Sequence, residues 1–207
     1  MILEYIIVIM IVLFSVICHE ISHGWVAYRL GDPTAKSKGR LTLNPLKHID
    51  PIGTVLVPLI LKLLPGNIIF GWAKPVPVNF ARLRNPKRDI IFVAFAGPAA
   101  NLLCAFLASR ILFLNIPPFV RELVSIAVLI NLVLALFNLI PIPPLDGSRI
   151  VLGLLPKRIG YFYSQLEPFG FIILIIVIFQ FRLIRYVWPI VEFLAAQLAP
   201  PHLFLIH

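Results

Sequence analysis

Three long apolar runs and a shorter fourth, separated by polar stretches, dominate the chain. The first, residues 5–29, is apolar for two-thirds of its length and then mixed. Runs over residues 89–114 and 122–140 are each long enough to cross a hydrocarbon core of about 30 Å, and a short connection with Pro117 and Pro118 joins them. The fourth, residues 169–181, is strongly apolar; its helix could begin as early as Ile159, with a kink at Pro168. The tail, residues 186–207, carries Trp188, Glu192, Gln197 and two adjacent prolines, which fits a segment lying in the interface or crossing incompletely.

Between the first two spans the pattern changes. Residues 40–44 alternate polar and apolar, as in a short strand. Residues 52–64 form an apolar run containing Pro58 that is too short to cross, and both its flanks are basic. Lys36, Lys38, Arg40 and Lys47 precede it; Lys74, Arg82, Arg84, Lys87 and Arg88 follow. Like-charged flanks belong on one side, so this run reads as a re-entrant hairpin. Residues 68–80 are strand-like but hold Gly71, Pro75 and Pro77, which suits an edge strand or extended segment.

Composition turns this pattern into a solvent. Hydrophobic residues make up 60% of 207 and charged residues 13%, against about 45–50% and about 25% in soluble domains, and the mean hydropathy is +0.97. A chain this small cannot hide so much apolar surface inside itself. The balance predicts an integral membrane protein and excludes a disordered chain, a disulfide scaffold and a collagen-like fibre. The net charge of +9 sits in short runs between apolar segments, which points to membrane topology and not to nucleic acid. Thirteen cations fall in residues 29–47, 74–88 and 149–158, against Arg110 and Arg121 in the opposite connection. That asymmetry places the N-terminus outside. Cys18 and Cys104 read as packing residues, and the N-terminus lacks the basic start and cleavage site of a signal peptide.

His19-Glu20-Ile21-Ser22-His23 falls in the first span, about 21 Å along the helix from Tyr5 and roughly 9 Å below the inner surface. Residues four apart share a helix face, so the two imidazoles can close on one zinc ion while the glutamate reaches a bound water. Ionisable groups at membrane depth are rare and usually functional. Catalytic zinc takes a third protein ligand. His48 sits in the polar loop, and His202 and His207 in the tail. Asp146 ends a stretch in which Pro141, Pro143 and Pro144 terminate an inward-running helix, which puts it near the face of His23. Asn101, after Ala96-Gly97-Pro98-Ala99-Ala100, and Asn138 are buried amides that need partners; a structural and a substrate role fit each equally.

These motifs, HEISH, GPAAN and NLIPIPPLDG in that order, resemble the site-2 protease family of intramembrane zinc metalloproteases, in its compact, bacterial-type form. The resemblance covers roughly residues 18–149. It implies that His19, His23 and Asp146 bind one zinc ion, that Glu20 is the general base, and that Asn138 assists the oxyanion or the substrate backbone. The expected fold is a polytopic α-helical membrane protein with about four to five transmembrane helices, a re-entrant element and a small membrane-associated β-sheet between the first two full spans. One domain is expected over residues 1–207, with a catalytic core at about 5–150 and a C-terminal helical region at 159–207, without PDZ or CBS domains. The partners expected are a membrane-protein substrate and the lipid bilayer, the location a bacterial inner membrane, and the active site near the cytoplasmic face. Membrane di-iron oxidases need many more than five histidines. A metal transporter would need an ion that leaves easily. A non-catalytic scaffold or receptor retaining the fold is the competing reading, and it has no use for Glu20.

Overall fold

The computed structural model describes residues 2–56, 60 and 74–200. Helix α1 is Ile2–Arg29 and α2 is the single turn Thr34–Ser37. Two long helices follow, α3 (Pro86–Ile111) and α4 (Pro118–Asn138), then the shorter α5 (Asp146–Leu154), α6 (Lys157–Ser164), α7 (Gly170–Gln180) and α8 (Ile184–Leu198). Leu3–Arg29, Pro86–Ile111, Pro118–Asn138 and Lys157–Gln180 are long and apolar enough to cross a membrane. Large apolar side chains such as Ile6, Ile9, Phe14, Phe92, Leu103 and Phe106 point outward, while Ser15, His19, His23, Asn101 and Asn131 are buried. Polar inside and apolar outside is the arrangement lipid imposes. The chain is a polytopic helical membrane protein.

Helix α3 is central and packs against α1, α4 and α5. It begins at Pro86, three residues before the apolar run, because Asn85 and Pro86 suit a first turn and the buried Asp89 carboxylate accepts the Asn85 N–H at 2.9 Å. Pro118 likewise starts α4 ahead of the run at 122. The expected kink at Pro168 is a break: α6 stops at Ser164, a 3₁₀ turn spans Glu167–Phe169, and α7 resumes at Gly170. Helix α8 buries Val191 and Ala195 in one cluster with Ala105, Leu112, Val128 and Leu132. Its 15 residues span about 22 Å, short of a full hydrocarbon core.

The expected sheet is corrected here: no strand forms among the described residues. Gly39 turns the chain at φ +61°, and residues 40–44 are irregular. There, local side chains take the N–H groups a ladder would need: Thr42 Oγ1 accepts from Asn44 N and Asn44 Oδ1 from Leu46 N. Residues 74–79 form no regular element and are equally committed. Pro75 and Pro77 have no N–H, Val76 N donates to Glu20 and Asn79 N to Asp32. One backbone bond, Lys74 N to His48 O at 2.9 Å, joins the two stretches without starting a ladder. Of the expected re-entrant run, Pro51–Leu56 is a π-helical turn; residues 57–59 and 61–64 lie outside the described residues, as do residues 68–73 of the expected edge strand and His202 and His207.

Candidate active site

His19 and His23 stand one helical turn apart on α1, and each ring is held from behind. His19 Nδ1 donates to Asn101 Oδ1 at 2.6 Å, and His23 Nδ1 donates to the Val93 carbonyl at 2.7 Å, both acceptors lying on α3. The Asn101 orientation is fixed in turn, because its amide nitrogen donates to Ser15 O at 3.1 Å and to Asn131 Oδ1 at 2.8 Å. Asn131 Nδ2 donates to Ser15 Oγ and to Ala127 O, both at 2.9 Å. Each Nδ1 therefore carries the proton, and each Nε2 presents a lone pair.

Those two lone pairs meet a third donor atom. The Nε2 atoms lie 3.0 Å apart, and Asp146 Oδ2 lies 3.0 Å from His19 Nε2 and 3.3 Å from His23 Nε2. Asp146 Oδ2 is buried and has no hydrogen-bond partner. Three electron-rich atoms converge with no proton among them, which is repulsive unless a cation sits there. Two neutral imidazoles and one carboxylate form a donor set that fits zinc and leave room for a water in the fourth position.

The backbone of α3 comes close enough to serve this site only because residue 97 is glycine. A Cβ there would lie 2.6 Å from His19 Nε2 and closer still to His23 Nε2. Pro98 supplies no N–H to the helix, so the Ala94 carbonyl, next to that of Val93, lacks its usual donor four residues on. At Asp146 the constraint repeats, since a Cβ on Gly147 would strike the Leu139 and Ile140 carbonyls. The loop from Leu139 to Leu145 is thus folded tightly beneath the start of α5, and that aims Asp146 at α1.

Around the three donors opens a cavity of about 340 Å³, lined among others by Glu20, Val76, Asn138 and Arg149. Glu20 Oε2 accepts the Val76 N–H at 2.7 Å. Asn138 Nδ2 donates to Leu134 O at 2.9 Å, which leaves its second N–H for the cavity. Asn101 stands behind His19, fully buried. His48 is elsewhere: it is buried in the loop and donates from Nε2 to Thr42 O at 2.8 Å.

Comparison with known proteins identifies the family. Over 201 residues the chain is 41% identical to "Putative zinc metalloprotease YwhC" of Bacillus subtilis (strain 168), spanning 92% of this chain and 87% of that one. The chain belongs to peptidase family M50, the site-2 proteases. The model of that family, "Peptidase family M50", matches residues 115–179. A protein of the same description named Rip2, from Mycolicibacterium smegmatis, is 28% identical over 182 residues, 86% of this chain and 69% of its own. "Zinc metalloprotease MJ0392" of Methanocaldococcus jannaschii is 30% identical over 161 residues, 76% of this chain and 37% of its own. No solved structure matches.

Sequence reasoning passed over Asn131, Ser15 and the Val93 carbonyl. Asn131 had a signal: it is an amide at mid-span, seven residues before Asn138 and so on the same face of α4. The carbonyl had none, because every residue carries one.

Proposed function

We propose that this intramembrane zinc metalloprotease hydrolyses peptide bonds of transmembrane or membrane-anchored protein segments, with His19, His23 and Asp146 holding one zinc ion and Glu20 acting as general base. The observation that carries the reading is the convergence of two Nε2 lone pairs and the unpartnered Asp146 Oδ2 beside an intact glutamate. When bound, zinc supplies Lewis acidity, lowering the pKa of a coordinated water and polarising the scissile carbonyl. Glu20 takes the proton of the attacking water and hands it to the leaving amine; the Val76 N–H on Oε2 keeps the carboxylate aimed. The free N–H of Asn138 supports the developing oxyanion or the substrate backbone. Asn101 and Asn131 act at one remove, holding His19 in its tautomer.

A helical substrate hides its carbonyls and must unwind to be cut. Residues 74–79, whose Pro75, Val76 and Val78 line the cavity outside any helix, offer it a backbone to lie along. The cation asymmetry supports an N-terminus outside a bacterial inner membrane and a site near the cytoplasmic face. The packing of α3 against α1, α4 and α5 supports one membrane-embedded domain, with its catalytic core at about 5–150 and a helical region at 159–207. Glu20→Gln tests the assignment. It should lower cleavage of a membrane-protein substrate by at least about a hundredfold while zinc content, read by metal analysis, stays near one per chain. Substantial turnover by this variant would refute the base; full turnover by Asp146→Ala would refute the ligand set.

A further inference from the structure

A second cavity, of about 310 Å³, opens on the other side of Pro75 and is lined by Lys38, Arg40, Lys74, Pro75 and Pro77. It carries three cations. Arg40 is only 8% exposed; its Nη2 donates to Lys74 O at 2.7 Å and to Pro75 O at 3.3 Å, while its buried Nε has no partner. Among the described residues no carboxylate pairs with any of the three. Lys38 and Lys74 are exposed at the rim and Arg40 is buried with its Nε–H unused, so the recess offers an anion three cations and a free donor.

The recess lies close to the level of Glu20 on α1, one residue past His19, which the sequence places roughly 9 Å inside the inner surface. Glu20, which holds Val76 N at 2.7 Å, is nine residues before the end of α1, about 13 Å along its axis. Lys74 is two residues from Val76, at most about 7 Å away. Loop 42–48 runs beside it, since Lys74 N donates to His48 O and His48 Nε2 to Thr42 O. That loop presents Leu43 and Leu46 outward. Cations at the boundary of the hydrocarbon, next to exposed leucines, match a ligand with an anionic head and an apolar tail.

We infer that Lys38, Arg40 and Lys74 form a binding site for the phosphate headgroup of an anionic phospholipid, seated against the Lys74–Pro75 backbone beside the active-site cavity. Arg40 braces the backbone from within, and the two lysines close on the phosphate from the rim. A soluble anion would leave the leucines bare. The site is distinct from the catalytic donors, and the inference stands without the proposed chemistry.

Native mass spectrometry of the full chain, released from neutral detergent after equilibration with phosphatidylglycerol, phosphatidylcholine or inorganic phosphate, reads the site directly. Phosphatidylglycerol should be retained at one copy per chain and phosphatidylcholine should not. Lys38→Gln/Lys74→Gln should weaken that retention roughly thirtyfold, about fivefold for each lysine. Lys157→Gln/Arg158→Gln, with the same loss of charge at the start of α6, should leave it unchanged. Circular dichroism of both variants checks that they fold. Equal weakening in the two double variants, or none in the first, would overturn the site. So would equal retention of phosphatidylcholine, or inorganic phosphate displacing the lipid at micromolar concentration, since the acyl chain would then contribute nothing. Protection of Lys38 and Lys74 by an acidic peptide, with lipid retention unaffected, would assign the recess to substrate and overturn it as well.

Discussion

Asn101 is fully buried, and the state of His19 depends on it. Its carbonyl oxygen accepts the Nδ1 proton at 2.6 Å, and its amide is pinned by Ser15 and Asn131. Remove that acceptor and the imidazole is free to change tautomer and turn. Asn101→Ala should lower zinc affinity about 10–100-fold, measured by competition with a chelator, while helix content stays the same. Gly97 is decided by space. Because a Cβ would stand 2.6 Å from His19 Nε2, Gly97→Ala must displace the His19 and His23 rings or push α3 away from α1. The variant should insert in the membrane and bind no zinc, checked by metal analysis of the purified protein; normal zinc content would show that the helices yield more than close packing allows.

Among the elements, the polar connection between α1 and α3 is held by a carboxylate. Asp32, just past the end of α1, accepts from Thr34 N at 3.0 Å, from the Thr34 hydroxyl, and from Asn79 N at 2.6 Å. Burial pushes its pKa up, but the Thr34 hydroxyl, the N–H groups of Asn79 and Thr34, and the nearby Arg82 outweigh it and hold the carboxyl below its ordinary value. A depressed pKa stabilises the folded state above the unfolded value of about 4, and that stability is lost as pH falls through the folded value. Between pH 7 and pH 3 the parent should therefore lose protection of residues 30–34 and 74–84 against hydrogen exchange. Asp32→Asn should start with less protection and lose less of it; an equal loss in both would put the acid sensitivity elsewhere.

Across the whole molecule, α1, α3 and α4 enclose a polar seam of Ser15, His19, His23, Asn101 and Asn131. The end of α1 and the start of α3 meet at one end, where Arg84 N donates to Leu30 O at 3.0 Å. Single cysteines at positions 38 and 87, in a chain with Cys18 and Cys104 replaced, should thus label from the same side of the membrane, and that side should be the cytoplasm. Labelling from opposite faces would mean that the run at 52–64 crosses.

Helix count, membrane solvent and the HExxH pair were legible in the sequence because they are local: hydrophobic length and the spacing of His19 and His23 need only one helix to express them. Asp146 was legible through its prolines, which announce where a span must stop. Among the described residues the expected sheet does not form. Alternation over residues 40–44 and extended character over 74–79 are real local preferences, but a ladder needs free N–H groups. Glu20 and Asp32, 56 and 47 residues away from the groups they bind, take those of Val76 and Asn79. The same long-range bonding decided the roles of the amides. A buried asparagine states only that it needs partners; packing α3 between α1 and α4 chose His19, Ser15 and Asn131 for Asn101. Sequence determined which polar groups enter the membrane, and tertiary structure decided which of them meet, because the contacts that satisfy them join helices far apart along the chain.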